Sequence, residues 1–153
     1  MEVKEILRNL REKNNLTQEQ MAERVNVSRQ AISRWENGET QPNTDMLKTL
    51  SKEFNVSINT LLGSPQTLIC QCCGMPLNDD SLISHEPDGA FNEDYCKWCY
   101  VDGKFAYSSK DLLLDFLVKQ MPNPDNQSDA DRRALFDSHL SQLKHWKVKK
   151  SQL

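Results

Sequence analysis

Residues 16–38 read LTQEQMAERVNVSRQAISRWENG, and the placing of caps and apolar residues in this stretch decides the fold around it. Thr17 stands where a helix N-cap is wanted, and Gln20, three residues on, completes a capping box. Met21, Ala22 and Val25 recur at the spacing of one helix face. Asn26-Val27 makes a turn, Ser28 caps a further helix, and Gly38 after Asn37 suits a C-terminal stop. The spacing therefore predicts two short helices, over 17–25 and 28–37, joined by the tight turn at Asn26-Val27.

The flanks supply three more helices. Val3, Ile6, Leu7 and Leu10 fall at i, i+3, i+4 and i+7, with Asn14-Asn15 closing that helix. Pro42 and Asn43-Thr44 precede a fourth helix with Met46, Leu47, Leu50 and Phe54 inward. Ser57 caps a short fifth with Ile58, Leu61 and Leu62, and Gly63-Ser64-Pro65 breaks the chain. Five short helices make an all-α unit over 1–63, with the tight pair at its centre as a helix-turn-helix. On a helical wheel Ala31, Ile32 and Trp35 share one side of the third helix, so Trp35 is assigned to core packing. Arg29, Gln30, Ser33, Arg34 and Asn37 spread over the other side. Guanidinium, amide and hydroxyl groups are the chemistry that reads base edges, arginine to guanine and glutamine to adenine. The same face also fits an ordinary solvated helix surface.

Residues 16–38 together with Pro42 resemble the phage repressor and Cro-like (XRE) helix-turn-helix family, and the resemblance covers residues 3–63. It implies a transcriptional regulator with double-stranded operator DNA as partner. It implies that Gln18 anchors a phosphate, that Ser28, Arg29, Gln30 and Ser33 lie in the major groove, and that Arg34 sits at its edge. Asn37 and the loop through Thr40 and Gln41 would touch the DNA backbone. The unit holds nine Lys/Arg against nine Asp/Glu, so one copy releases few counterions and binds weakly. A homodimer on two half-sites is the family's usual remedy and is the expectation here.

All five cysteines fall between residues 70 and 99. Cys70 and Cys73 form one C-x-x-C pair, Cys96 and Cys99 another, with Gly74 placed for a turn needing positive φ. Two such pairs supply four thiolates, the donor set of a closed structural site holding one Zn2+ per chain. Iron also suits four thiolates, and an absorption spectrum tells the two apart. Cys72 is left over. It is read as a spectator thiol, with a redox-sensing role as the sharper alternative. His85 is read as a surface loop residue.

Beyond the 64–69 linker, turns are expected at 78–80 and 86–89, a short strand at Leu82-Ile83, and a hairpin turning at Asp102-Gly103. Ser108 or Ser109 caps a helix through Leu112, Leu113, Phe116, Leu117 and Gln120 that Pro122 and Pro124 break. A last helix is expected over about 128–144 with Ala134, Leu135, His139, Leu140 and Leu143 at helical spacing. The stretches 70–77, 93–100 and 103–105 and the closing Leu143-Lys144-His145-Trp146-Lys147 resemble a family of small zinc-ribbon domains, across about 68–148. That resemblance implies Cys70, Cys73, Cys96 and Cys99 as the metal positions. The fold class expected is thus mostly α: a five-helix helix-turn-helix domain at 1–63, then a small α+β zinc-ribbon domain at 70–148 with two C-terminal helices.

The net charge of −3 argues against non-specific coating of nucleic acid. Residues 64–127 carry −6 and should face away from phosphate, and residues 128–153 carry +3. The basic tail 144–150 is read as a solvated helix end with Trp146 packed on the zinc domain. No apolar run is long enough to span a membrane and no signal peptide is seen, so the chain reads as cytoplasmic. Four cysteines close the metal site, and no phosphate-binding loop or nucleophile–base constellation is present, so no enzyme is expected. The zinc domain is expected to serve dimerisation or a protein partner. The alternatives are a metal- or redox-sensing regulator and an antitoxin-like module.

Overall fold

A computed structural model describes residues 1–147. Val148, Lys149 and Lys150 of the basic tail lie outside the described residues. The chain is mostly α and divides into two compact units, Met1–Thr67 with Asp88–Phe91, and Leu68–Pro87 with Asn92 onward.

The first unit contains α1 (Val3–Lys13), α2 (Gln18–Arg24), α3 (Arg29–Asn37), α4 (Thr44–Phe54) and α5 (Ile58–Leu61). Each start after the first is written in a polar side chain. Thr17 Oγ1 accepts the Gln20 N–H at 3.1 Å while Gln20 Oε1 accepts the Thr17 N–H at 2.9 Å, the reciprocal capping box. Ser28, Asn43 and Ser57 accept from Ala31, Met46 and Thr60. Gly38 ends α3 in the left-handed region at φ 79°. Leu7, Met21, Ala22, Val25, Ile32, Trp35, Leu47, Leu50 and Leu61 form the core. Leu62, read as part of the fifth helix, lies just past its end and is exposed, since α5 is a single turn that ends at Leu61.

One charged group shares that interior. Glu36 is 3% exposed. Arg11 donates to both its oxygens from Nε and Nη2, each at 2.8 Å, and Arg8 Nη2 donates to its backbone carbonyl at 3.2 Å. Burial alone would push the Glu36 carboxyl up. The bonds and charge of Arg11, helped by Gln18 and Arg8, instead hold it below its ordinary 4.5. Glu36 lies one turn beyond Ile32 on the inner stripe of α3, and it ties α1 to the middle of the unit.

The second unit is α+β. A 3-10 turn (Asp80–Leu82) leads into β1 (Ile83–His85), which pairs with β2 (Phe91–Cys96). β3 (Tyr100–Val101) and β4 (Lys104–Phe105) form an antiparallel hairpin with Tyr100 opposite Phe105. Asp102 and Gly103 at its tip both have positive φ, as a two-residue turn of this hand requires. Three helices follow: α6 (Lys110–Gln120), α7 (Asp129–Leu140) and α8 (Lys144–Lys147). Ser109 caps α6 and Ser128 caps α7. Arg132 is 7% exposed and donates to the carbonyls of Val118, Met121 and Pro122, so a cation closes the C-terminal end of α6.

Of the two helices expected here, the one through residues 112–120 forms and the one over 128–144 stops short. Leu113, Leu114 and Leu117 are buried on α6, while Leu112 and Phe116 are about half exposed. Two apolar registers run through 112–117, and packing selects one. The single helix expected over 128–144 ends at Leu140, and Ala134 and Leu135 face out. The Ser141 hydroxyl bonds back to the Asp137 carbonyl at 2.8 Å, and tighter i→i−3 bonds at Gln142 and Leu143 end the α-ladder. The chain then turns into α8, whose first N–H groups, of Lys144 and His145, donate to the Gln71 side-chain and backbone oxygens. Among the described residues, no helix is long and apolar enough to cross a membrane.

An Arg11→Met variant strands a buried carboxylate and should lower the stability of the first unit by about 3–5 kcal/mol, read as a urea midpoint by circular dichroism. In the wild type the Glu36 contribution is complete above 4.5 and is lost as pH falls through its lower folded value. The same titration at falling pH should therefore show a steeper acid loss in the wild type than in the variant.

Candidate metal centre and nucleic-acid interface

Two hairpin-like knuckles bring four sulfurs together. In the first, the Gly74 N–H donates to the Cys70 carbonyl at 2.8 Å, and the N–H groups of Cys72 and Cys73 point at Cys70 Sγ at 3.4 and 3.5 Å. In the second, the Cys99 N–H donates to the Cys96 carbonyl at 3.2 Å. The ligand atoms of Cys70, Cys73, Cys96 and Cys99 all lie within 4.8 Å of one another, with Cys73 Sγ and Cys96 Sγ at 3.9 Å. A tetrahedron of sulfurs at the Zn–S distance has edges of about 3.8 Å. That separation is far beyond a disulfide bond, and all five cysteines are free thiols. Donor type, spacing, burial and supporting N–H groups all fit a four-thiolate metal.

Such crowding is unfavourable without a cation. Hydrogen bonds from Cys73, Cys96 and Cys99 pull the Cys70 thiol far below its usual range, and their bonds to Cys70 push Cys73 and Cys99 up. The four groups cannot share one ionised state unless a positive ion compensates them.

Cys72 stands apart from this set. It is fully buried, and its carbonyl accepts the indole N–H of Trp146 at 2.7 Å. Oxidant sensing calls for an accessible thiolate, which this position does not offer. His85 lies outside the sulfur cluster. Sequence reasoning placed Gly74 in a turn of positive φ but missed the part of Gln71 and the close approach of His139 to Gly74. Gln71 binds the start of α8, as above, and also donates its N–H to the Asp94 carbonyl at 2.6 Å. Gly74 has φ +83°, and a Cβ there would stand 2.6 Å from His139 Nε2, so glycine is needed both for conformation and for space.

In the first unit, the face of α3 opposite Ile32 and Trp35 is polar. Ser28, Arg29, Gln30, Arg34 and Asn37 are exposed and Ser33 is half-buried, its oxygen within 3.4 Å of Asn37 Nδ2. Gln18 is half-buried and hydrogen-bonded to Glu36, so the first residue of α2 is held by the buried carboxylate. The structure thus gathers six of the seven candidate DNA-contact residues on or at the start of one helix and puts the seventh beside that helix's anchor. Thr40 and Gln41 follow in an exposed loop.

The family described as "Putative zinc ribbon domain" matches residues 69–147, and the family described as "Helix-turn-helix" matches residues 7–61. The HTH-type transcriptional activator BcrR of Enterococcus faecalis is 50% identical over 68 residues, 44% of this chain and 33% of that protein. Antitoxin PezA of Streptococcus pneumoniae serotype 4 is 34% identical over 62 residues, 40% of this chain and 39% of that protein. The HTH-type transcriptional regulator ImmR of Bacillus subtilis is 35% identical over 98 residues, 58% of this chain and 77% of that protein. The chain therefore spans well under half the length of the first two relatives.

Gly74→Ala should destabilise the second unit by more than the ~1 kcal/mol of an ordinary glycine substitution. Adding His139→Ala should restore part of the loss, because it removes the clash and leaves the positive φ. Thermal unfolding of wild type, single and double variants checks both halves.

Proposed function

The chain belongs to the zinc ribbon domain family and, through its N-terminal domain, to the phage-repressor-like helix-turn-helix regulators, and from that membership we propose that it is a sequence-specific DNA-binding transcriptional regulator. The helix-turn-helix domain is 1–63, the linker 64–69 and the ribbon domain 70–148. The observation that carries the reading is α3: one side locked into the core by Ile32 and Trp35, the other offering two exposed guanidinium groups and two exposed amides. In this reading Arg29, Gln30 and Ser33 read base edges in the major groove, with Ser28 at the helix entrance and Arg34 at the groove edge. Gln18 and Asn37 bond phosphates and set register. The unit has no net charge, so a homodimer on an operator of two half-sites supplies the affinity. The protein acts in the cytoplasm.

One structural Zn2+ per chain is held by Cys70, Cys73, Cys96 and Cys99. When bound it cross-links the two knuckles and supplies no open coordination position, so its role is stability rather than chemistry. The ribbon domain then serves dimerisation or a protein partner. Full burial of Cys72 favours this over oxidant sensing.

DNA binding by fluorescence anisotropy on the region upstream of the protein's own gene tests the reading. Arg29→Ala should cost about 1–3 kcal/mol at cognate sites and flatten the preference between sites. Asn37→Ala should weaken all sequences alike. An operator without two-fold character, or equal affinity for every sequence, would overturn it. Cys96→Ser should drop the zinc content well below one per chain and unfold 68–107 while α1–α5 persist. Unchanged metal content would refute the ligand set.

A further inference from the structure

The second unit leaves large apolar side chains in water beside its sulfur cluster. Trp98 is 54% exposed and Phe116 46%, although Leu113, Leu114 and Leu117 already serve the packing of α6. Both rings border one groove of about 630 Å3, and Tyr107 and Phe136 add two more aromatic walls. Three of the four clustered cysteines line the same groove. The volume falls among sites for drug-sized molecules, about 300–1,000 Å3. Scattered surface apolar residues need no account, but a convergent set around a concavity marks a binding site.

The chemistry of the walls selects the charge of the occupant. Four thiolates around a bound divalent cation would keep a net negative charge, and aromatic faces present the negative side of their quadrupole. No lysine or arginine is among the lining residues and His139 is their one basic member, but Lys97 Nζ stands 4.8 Å from the Trp98 ring centroid and the Arg132 guanidinium 5.7 Å from that of Phe136, which leaves Tyr107 and Phe116 as the ring faces for a bound cation. An anion meets repulsion from the sulfurs and from the Tyr107 and Phe116 faces. A neutral molecule gains burial alone. A compact, strongly hydrated ammonium loses its water. A cation whose charge is spread under aryl groups gains burial, ring-face attraction and the field of the sulfurs together.

We propose that this groove binds a lipophilic aryl cation of drug size. Its ligand would touch both knuckles, α6 and α7 at once, so occupancy would bear on the packing of the whole second unit. The proposal concerns that unit alone and does not depend on the DNA-binding reading.

The test titrates the zinc-loaded full chain with tetraphenylphosphonium and with its isosteric anion tetraphenylborate, by equilibrium dialysis. The phosphonium should saturate at one per chain and bind at least about tenfold more tightly than the borate. Phe116→Ala should weaken phosphonium binding about tenfold, with circular dichroism and zinc content unchanged. Leu135→Ala, exposed on α7 and outside the groove, should leave it as it was. If Phe116→Ala fails to fold, Tyr107→Ala carries the same expectation. Equal binding of the two ions, binding of neither, or an unaltered Kd in the aromatic variants overturns the proposal. So does an aromatic variant that turns a dimer into a monomer without any phosphonium binding, which would give the groove to a second copy of the chain. No outcome bears on DNA affinity, so the regulator reading stands or falls separately.

Discussion

Each unit of this chain is small for a domain held by apolar burial, and each adds to its core one buried polar centre. In the first, the centre is the Glu36 carboxylate, gripped by two nitrogens of Arg11. In the second, it is the group of four cysteine sulfurs within 4.8 Å. Both centres are unfavourable when incomplete. A buried carboxylate without its guanidinium and a thiolate cluster without a cation each leave uncompensated charge in a low dielectric. That penalty makes the arrangement specific, because only the chain path that delivers every partner is tolerated.

The first centre also bears on recognition. Gln18 opens α2 and hydrogen-bonds to Glu36, which lies on α3. Arg8 and Arg11 approach the same residue from α1. Three helices are thereby referenced to one carboxylate, and the exposed face of α3 is presented from a rigid frame rather than from a loop. Positioning of this kind is what reading base edges requires, since a bidentate contact tolerates little angular error.

The parts legible in the sequence are those encoded by neighbours in the chain. Capping residues at Thr17, Ser28 and Ser57, the Asp102-Gly103 turn and the two C-x-x-C pairs are local chemistry, and they sit as their spacing implies. What was obscured depends on partners far away. Glu36 looks like a surface acid until its place beside Ile32 and Trp35 on the inner stripe is noticed, and that i, i+4 relation was the available signal. Leu112 and Phe116 sit at helical spacing as convincing as that of Leu113 and Leu117, so periodicity alone could not choose the buried register. The break after Leu140 joins the local Ser141 back-bond to the contacts of Gln71 with α8, across some seventy residues, and the second part is one that no local pattern reports. β2 is masked by its own acidic residues, Glu93 and Asp94, on a strand only partly covered.

The indole of Trp146 bonded to the Cys72 carbonyl, with the α8 backbone bonded to Gln71, carries a consequence for biogenesis. The helix-turn-helix unit closes its core with residues 1–61, all of them translated early. The first knuckle, by contrast, waits for residues near 146 before its outer wall exists. On the ribosome the two units must therefore mature in sequence, the N-terminal one first and the ribbon only once residues near 146 have emerged. Nascent C-x-x-C pairs spend that interval as open chelators, and the order in which metal and α8 arrive decides how the unit first closes.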